Sequence, residues 1–133
     1  MRSVDILKKI IEDERFARRL IENAIKMIKP EDFLNAMKSK TDPSKLILNH
    51  FHNIIENPAV KPLVQTALRI YWNDIESYLT DANKVYEILC KNEKLREILK
   101  REDAKRYLNY AVASAYKNLY EWVWFGKNPF VGE

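Results

Sequence analysis

Apolar side chains recur every three to four residues along most of the chain, which predicts a succession of amphipathic helices. The first stripe falls within residues 3–28, where Ser3 is a suitable N-cap. Glu14 interrupts this stripe, and Asp13 just before it can cap a new helix. We therefore expect two helices, over residues 3–12 and 14–28. Their apolar positions are Leu7, Ile10, Ala17, Ile21, Ala24 and Ile28.

Prolines and short polar residues mark the boundaries of the helices that follow. Pro30 fits the first turn of a short helix that runs to about Lys38. Asp42 is the expected cap of a helix over residues 43–55. Asn57–Pro58 predicts a second, long helix that starts near residue 59 or 62 and continues through Tyr78. Three later helices are expected to begin at Asp81, Asn92 and Asp103, and the last of them to end at Gly126.

These elements predict an all-α fold, with six to eight helices packed around a long aromatic-rich helix near the C-terminus. A chain of 133 residues has the size of one domain. We expect a helical domain over residues 1–126 and a flexible tail over residues 127–133. Cys90 is the only cysteine, so no internal disulfide can form, and its apolar surroundings favour a buried thiol.

The positions of glycine and histidine argue against the common catalytic sites. Residues 1–125 contain no glycine, whereas phosphate-binding loops, dinucleotide fingerprints and nucleophile elbows all require it. His50 and His52 are two residues apart on an expected helix, so their side chains diverge and cannot share a metal. We expect a non-catalytic protein without a cofactor or a metal site.

Residues 107–125 are apolar around most of a helical circumference, and such a helix must be buried around most of it. Two alternatives remain open. The helix is either the centre of the core alone, or one of its faces also meets another chain, since tyrosine and tryptophan dominate interface hot spots. The candidate interface residues are Tyr107, Tyr110, Tyr116, Tyr120, Trp122, Trp124, Phe125 and, in the tail, Phe130.

The charge distribution offers a different class of partner. The net charge of +4 is uneven, with eight basic against six acidic residues over 81–106. Basic side chains beside tyrosines can follow a nucleic-acid backbone and stack on its bases. Against this, pairs such as Glu97–Arg101 at i,i+4 are typical of an ordinary solvated helix face. The candidate nucleic-acid residues are Lys91, Lys94, Lys100, Arg101, Lys105 and Arg106.

Composition also bears on location and source. No apolar run approaches the roughly 18 residues of a membrane span, and the first residues lack a signal-peptide core, so we expect a cytoplasmic protein without membrane contact. Glutamine occurs once, while lysine, glutamate and isoleucine are abundant, which is typical of thermophile proteins and suggests an archaeal source.

The leading functional hypothesis is a helical interaction or assembly protein that forms a homodimer or joins a larger complex through the aromatic helix. The alternative is a small accessory protein that binds RNA or DNA through the basic 84–106 segment. An enzyme of a type without a recognisable motif is the third hypothesis.

Overall fold

The computed structural model describes residues 5, 9, 12–52 and 56–129, and this part of the chain contains helices and no strand. The all-α prediction is therefore confirmed. The helices are α1 (Phe16–Lys26), α2 (Pro30–Lys38), α3 (Lys45–Leu48) with a 3₁₀ helix directly after it (Asn49–Phe51), α4 (Lys61–Ile70), α5 (Trp72–Leu79), α6 (Ala82–Leu89), α7 (Glu93–Ile98) and α8 (Glu102–Phe125).

Several helix ends lie where proline and the polar caps predict them. Pro30 begins α2, which ends at Lys38. Asp81 caps α6 by accepting one hydrogen bond from a first-turn amide at 3.0 Å, and Asn92 caps α7 by accepting two, at 3.0 and 3.1 Å. The expected break near Asp13 is confirmed, but α1 spans Phe16–Lys26 rather than residues 14–28. The N-cap position belongs to Arg15, so the expected capping by Asp13 is wrong, and its carboxylate accepts the amide of Arg15 at 3.0 Å just before the helix. The expected cap at Ser3 lies outside the described residues.

Three other predicted boundaries are also wrong. The long helix expected through Tyr78 is two helices, because Tyr71 leaves the helical region with φ −106° and ψ 29°. This bend lets the apolar faces of both α4 and α5 reach the core. The helix expected over 43–55 begins at Lys45 and tightens into the 3₁₀ helix at Asn49, while residues 53–55 lie outside the described part. Asp103 lies inside the first turn of α8, and the N-cap position belongs to Arg101.

The core is organised around α8, which packs against α3, α4, α5 and α6. A second layer forms where α1 packs against α5 and α6. Trp122 is the largest of the fully buried side chains, with no exposed surface. The buried face of α8 consists of Ala104, Leu108, Ala111, Val112, Ala115, Leu119, Trp122 and Val123.

Two side chains of α4 hold the C-terminal end of α8. The last four carbonyl groups of a helix lack partners within it. Gln65 Nε2 donates to the Trp122 carbonyl at 3.0 Å, and Arg69 Nε donates to the Val123 carbonyl at 2.7 Å. α8 then ends at Gly126, whose φ of 69° is the left-handed conformation that glycine adopts without strain.

Within the described part of the chain, no helix combines the length and the apolar character that crossing a bilayer requires.

We expect Trp122→Ala to lower the free energy of unfolding by about 3–5 kcal/mol, because it leaves a large cavity in the core. Urea unfolding followed by circular dichroism measures this change. Asn109→Ala is the matched control on the exposed side of the same helix, with an expected effect within about 0.5 kcal/mol. If Trp122→Ala left the stability unchanged, Trp122 would not be a core residue.

Candidate interaction surface

One stripe of α8 faces away from the core. Its members are separated alternately by four and three residues, so they fall within roughly 80° of the helical circumference. We call these six exposed residues the seam: Arg106, Tyr110, Ala113, Lys117, Tyr120 and Trp124. The three rings of the seam carry most of its apolar surface, since Tyr110 is 69% exposed, Tyr120 38% and Trp124 39%.

At the C-terminal end of α8, the aromatic rings form a connected cluster on Trp72 of α5. The Trp72 ring lies 5.9 Å from Tyr116, 5.7 Å from Tyr120 and 6.4 Å from Trp124, measured between centroids. Phe125, which is 74% exposed, meets the Tyr120 ring at 5.9 Å. These contacts hold the outer rings in place, so their exposed edges lose little conformational entropy when another surface covers them.

Glu76 anchors the inner side of this cluster. Its Oε2 accepts a hydrogen bond from the Tyr116 hydroxyl at 2.9 Å and one from Trp72 Nε1 at 3.3 Å. The hydrogen bond to Glu76, together with burial, raises the pKa of Tyr116 above its ordinary value. Tyr116 therefore stays a neutral donor that ties α8 to α5, and it forms the base of the cluster.

The predicted interface residues divide into four groups. Trp122 lies in the core, where no partner can touch it. Tyr107 is half-buried and packs edge-on against Phe33, with 5.8 Å between centroids, and Tyr116 is the inward anchor just described. Phe130 lies outside the described residues. The remaining four are exposed: Tyr110, Tyr120, Trp124 and Phe125.

All six predicted nucleic-acid residues are exposed, but the three that line a hollow line different ones. Lys91 lines one with the end of α1, Lys94 lines another with the start of α2, and Lys105 faces α6. The six residues therefore do not line one common groove.

Neighbouring carboxylates partly neutralise this basic set. Lys100 Nζ lies 2.9 Å from Glu97, and Arg101 makes two hydrogen bonds to Asp103, at 3.1 and 2.7 Å. Such exposed pairs contribute little to stability but reduce the local positive potential. The others make no ion pair with a described residue: Lys91, Lys94, Lys105 and Arg106.

Sequence reasoning missed one basic hollow of about 290 Å³, where Lys26 and Lys84 join Lys91 around Tyr78. Lys84 Nζ lies 5.5 Å from the centroid of the Tyr78 ring. The Tyr78 hydroxyl donates to Glu22, and burial together with this bond raises the pKa of Tyr78 to about 12. The sequence carries no signal for this hollow, because it depends on how α1 packs against α5 and α6.

A polar cleft of about 540 Å³ lies between α2 and α3, with Tyr107 of α8 on one side. This volume falls within the range of small-molecule sites. Its titratable side chains include Asp32, Lys45 and His50. Burial lowers the pKa of His50, and the charge of Asp32 opposes that shift. The described residues contain no group of three or more histidine, cysteine or acidic side chains placed to hold a metal ion.

Asp42 also lines this cleft, but its carboxylate is occupied by hydrogen bonds within the fold. Its Oδ1 accepts the Ser44 amide at 2.9 Å and the Ser114 hydroxyl at 2.7 Å, while its Oδ2 accepts Asn118 Nδ2 at 2.7 Å. Asn118 Nδ2 also donates to the buried Ser44 hydroxyl at 2.8 Å. We call these four residues the latch, because they fasten the loop before α3 to the middle of α8.

Comparison of the chain with protein-family models, with curated proteins and with solved structures finds no match. Within the described residues, three of the four exposed aromatic side chains lie on the seam, and the carboxylate of Asp42 is occupied by internal hydrogen bonds.

We expect Asp42→Asn to lower the free energy of unfolding at pH 7 by about 1–2 kcal/mol, because hydrogen bonds to a charged acceptor are weakened. Urea unfolding measures the loss. Glu31→Gln, an exposed carboxylate on α2 with no described partner, is the control and should change little.

The same variant should also alter the pH dependence of stability. Burial alone raises the pKa of Asp42, but its hydrogen bonds from Ser114, Ser44 and Asn118 bring it below the ordinary value of 3.8. The carboxylate's contribution is therefore fully present above 3.8 and is lost as the pH falls through the lower, folded-state value. The difference between the wild type and Asp42→Asn should shrink below about pH 4. A constant difference would contradict the latch.

Proposed function

We propose that this protein is a non-catalytic assembly protein that associates with a second copy of itself through the seam of α8. The observation that supports the proposal is the position of the seam. It lies on the side of α8 opposite its buried face, so its rings are not needed to complete the core. A symmetric dimer is the commonest closed assembly of soluble proteins.

The exposed aromatic area is of the size that such an assembly uses. A large aromatic side chain presents roughly 150–250 Å². With the exposed fractions given above, the three rings of the seam together offer about 300 Å², and Phe125 beside the seam adds about 150 Å². A standard interface buries about 800 Å² on each partner. The rings therefore account for about half of one side, and the seam's polar residues and the flanking surface can supply the rest.

The alternative function, an accessory protein that binds RNA or DNA, has one observation in its favour. Lys26, Lys84 and Lys91 surround one hollow next to an aromatic ring, which is the arrangement that follows a phosphate backbone. Glu22 and Glu87 line the same hollow and offset part of its charge. This balance favours the seam as the primary site.

Light scattering during size-exclusion chromatography tests the assembly proposal. We expect the 15.8 kDa chain to elute at twice its mass, and Tyr120→Ala with Trp124→Ala to elute as a folded monomer. Met27→Ala, which truncates an exposed apolar residue at the end of α1, is the control and should remain dimeric. A wild type that stays monomeric at high micromolar concentration would contradict the proposal.

Fluorescence anisotropy with a labelled single-stranded RNA tests the alternative. If the basic hollow binds nucleic acid, affinity should fall steeply with salt, and Lys84→Glu with Lys91→Glu should reduce it at least tenfold. Lys38→Glu with Lys40→Glu gives the same change in net charge elsewhere and is the control. Equal binding by both double variants would exclude the hollow as the site.

A further inference from the structure

We infer that two copies of the chain pair their α8 helices antiparallel, about a two-fold axis that crosses the seam midway between Ala113 and Lys117. In this arrangement Arg106 lies against the partner's Trp124, Tyr110 against the partner's Tyr120, and Ala113 against the partner's Lys117. The inference rests on the proposed self-association, whose geometry it specifies.

The spacing of the seam permits this symmetry. The intervals between its six residues are four, three, four, three and four, so they read the same from both ends. Each pair named above is equidistant from residue 115. This alternation is the spacing of a two-helix seam, in which side chains interdigitate when the axes are 8–10 Å apart. From residue 106 to 124 the seam is about 27 Å long.

The outer pairs match cation with ring and ring with ring. Arg106 makes no ion pair with a described residue, and a guanidinium group over an indole ring is a favourable cation–π contact. Tyr110 makes no ring contact within the described part of its own chain, although it is 69% exposed. The partner's Tyr120 supplies that contact, because Trp72 packs against one side of the Tyr120 ring and 38% of Tyr120 stays exposed.

The inner pair matches a small side chain with a long one. Ala113 leaves room for the methylene stem of Lys117, whose ammonium group can then extend to the rim of the interface and stay in water. A parallel pair is less favourable. It places Lys117 opposite Lys117 and Arg106 opposite Arg106, which is like-charge repulsion, and it leaves Ala113 opposite Ala113 with a gap between the larger layers.

The charges of the seam favour the antiparallel orientation over the parallel one. Both charged residues of the seam are basic, and the antiparallel register separates them from the basic residues of the other copy. A second copy therefore fits the seam without an acidic partner, because rings and a methyl group face each cation.

Disulfide cross-linking tests the register in the full chain, with Cys90→Ser to remove the native thiol. Ala113→Cys and Lys117→Cys are made in separate chains that carry different affinity tags, and the two are mixed and oxidised. We expect cross-linked dimers that contain one chain of each kind, because these positions face each other. Neither chain alone should cross-link as efficiently.

Ala113→Cys mixed with Arg106→Cys is the matched control. In the inferred register these positions are about eleven residues apart along the helices, or about 16 Å, which is beyond the reach of a disulfide. Strong cross-linking of Ala113→Cys to itself would indicate a parallel pair and overturn the inference, while the proposed self-association would stand. A wild type that is monomeric by light scattering would instead overturn both.

Discussion

The burial of one face of α8 is the constraint on which the rest of this structure depends. Four other helices pack onto that face, and α1 reaches this core from the far side of α5 and α6. Two sets of hydrogen bonds fix the position of α8 relative to its neighbours. One is the latch at the middle of the helix, and the other comes from the side chains of Gln65 and Arg69 at its end. Because these contacts resist both sliding and rotation of α8, they also determine which residues face outward.

That constraint separates residues that are close in sequence. Trp122 and Trp124 are two positions apart, so their side chains point about 200° away from each other on a helix. One is the largest buried side chain of the core, and the other is part of the exposed cluster on Trp72. The two alternatives for the aromatic helix are therefore compatible: the buried face belongs to the core, and the seam is available to a partner.

Local signals in the sequence predicted the helix starts at Pro30, Asp81 and Asn92, because a cap or a proline acts within one turn. The latch joins residues more than 70 positions apart, and sequence reasoning assigned Asp42 only its local capping role. The bend at Tyr71 was also missed, since continuous apolar periodicity does not reveal where tertiary packing interrupts a helix. The outward face of α8 was missed for a related reason. Residues 107–125 are apolar around most of the helix, so the sequence alone does not determine which of their aromatic side chains face outward.

The position of α8 in the chain has a consequence for folding. α8 is the last of the described helices to be synthesised, yet the apolar faces of α3, α4, α5 and α6 are completed only by contact with it. A nascent chain that ends before residue 104 can pack α1 against α5 and α6, but the surfaces that contact α8 remain in water or in transient non-native contacts. Exposed apolar surface of this kind promotes aggregation, so the nascent chain is most vulnerable in the period before α8 emerges.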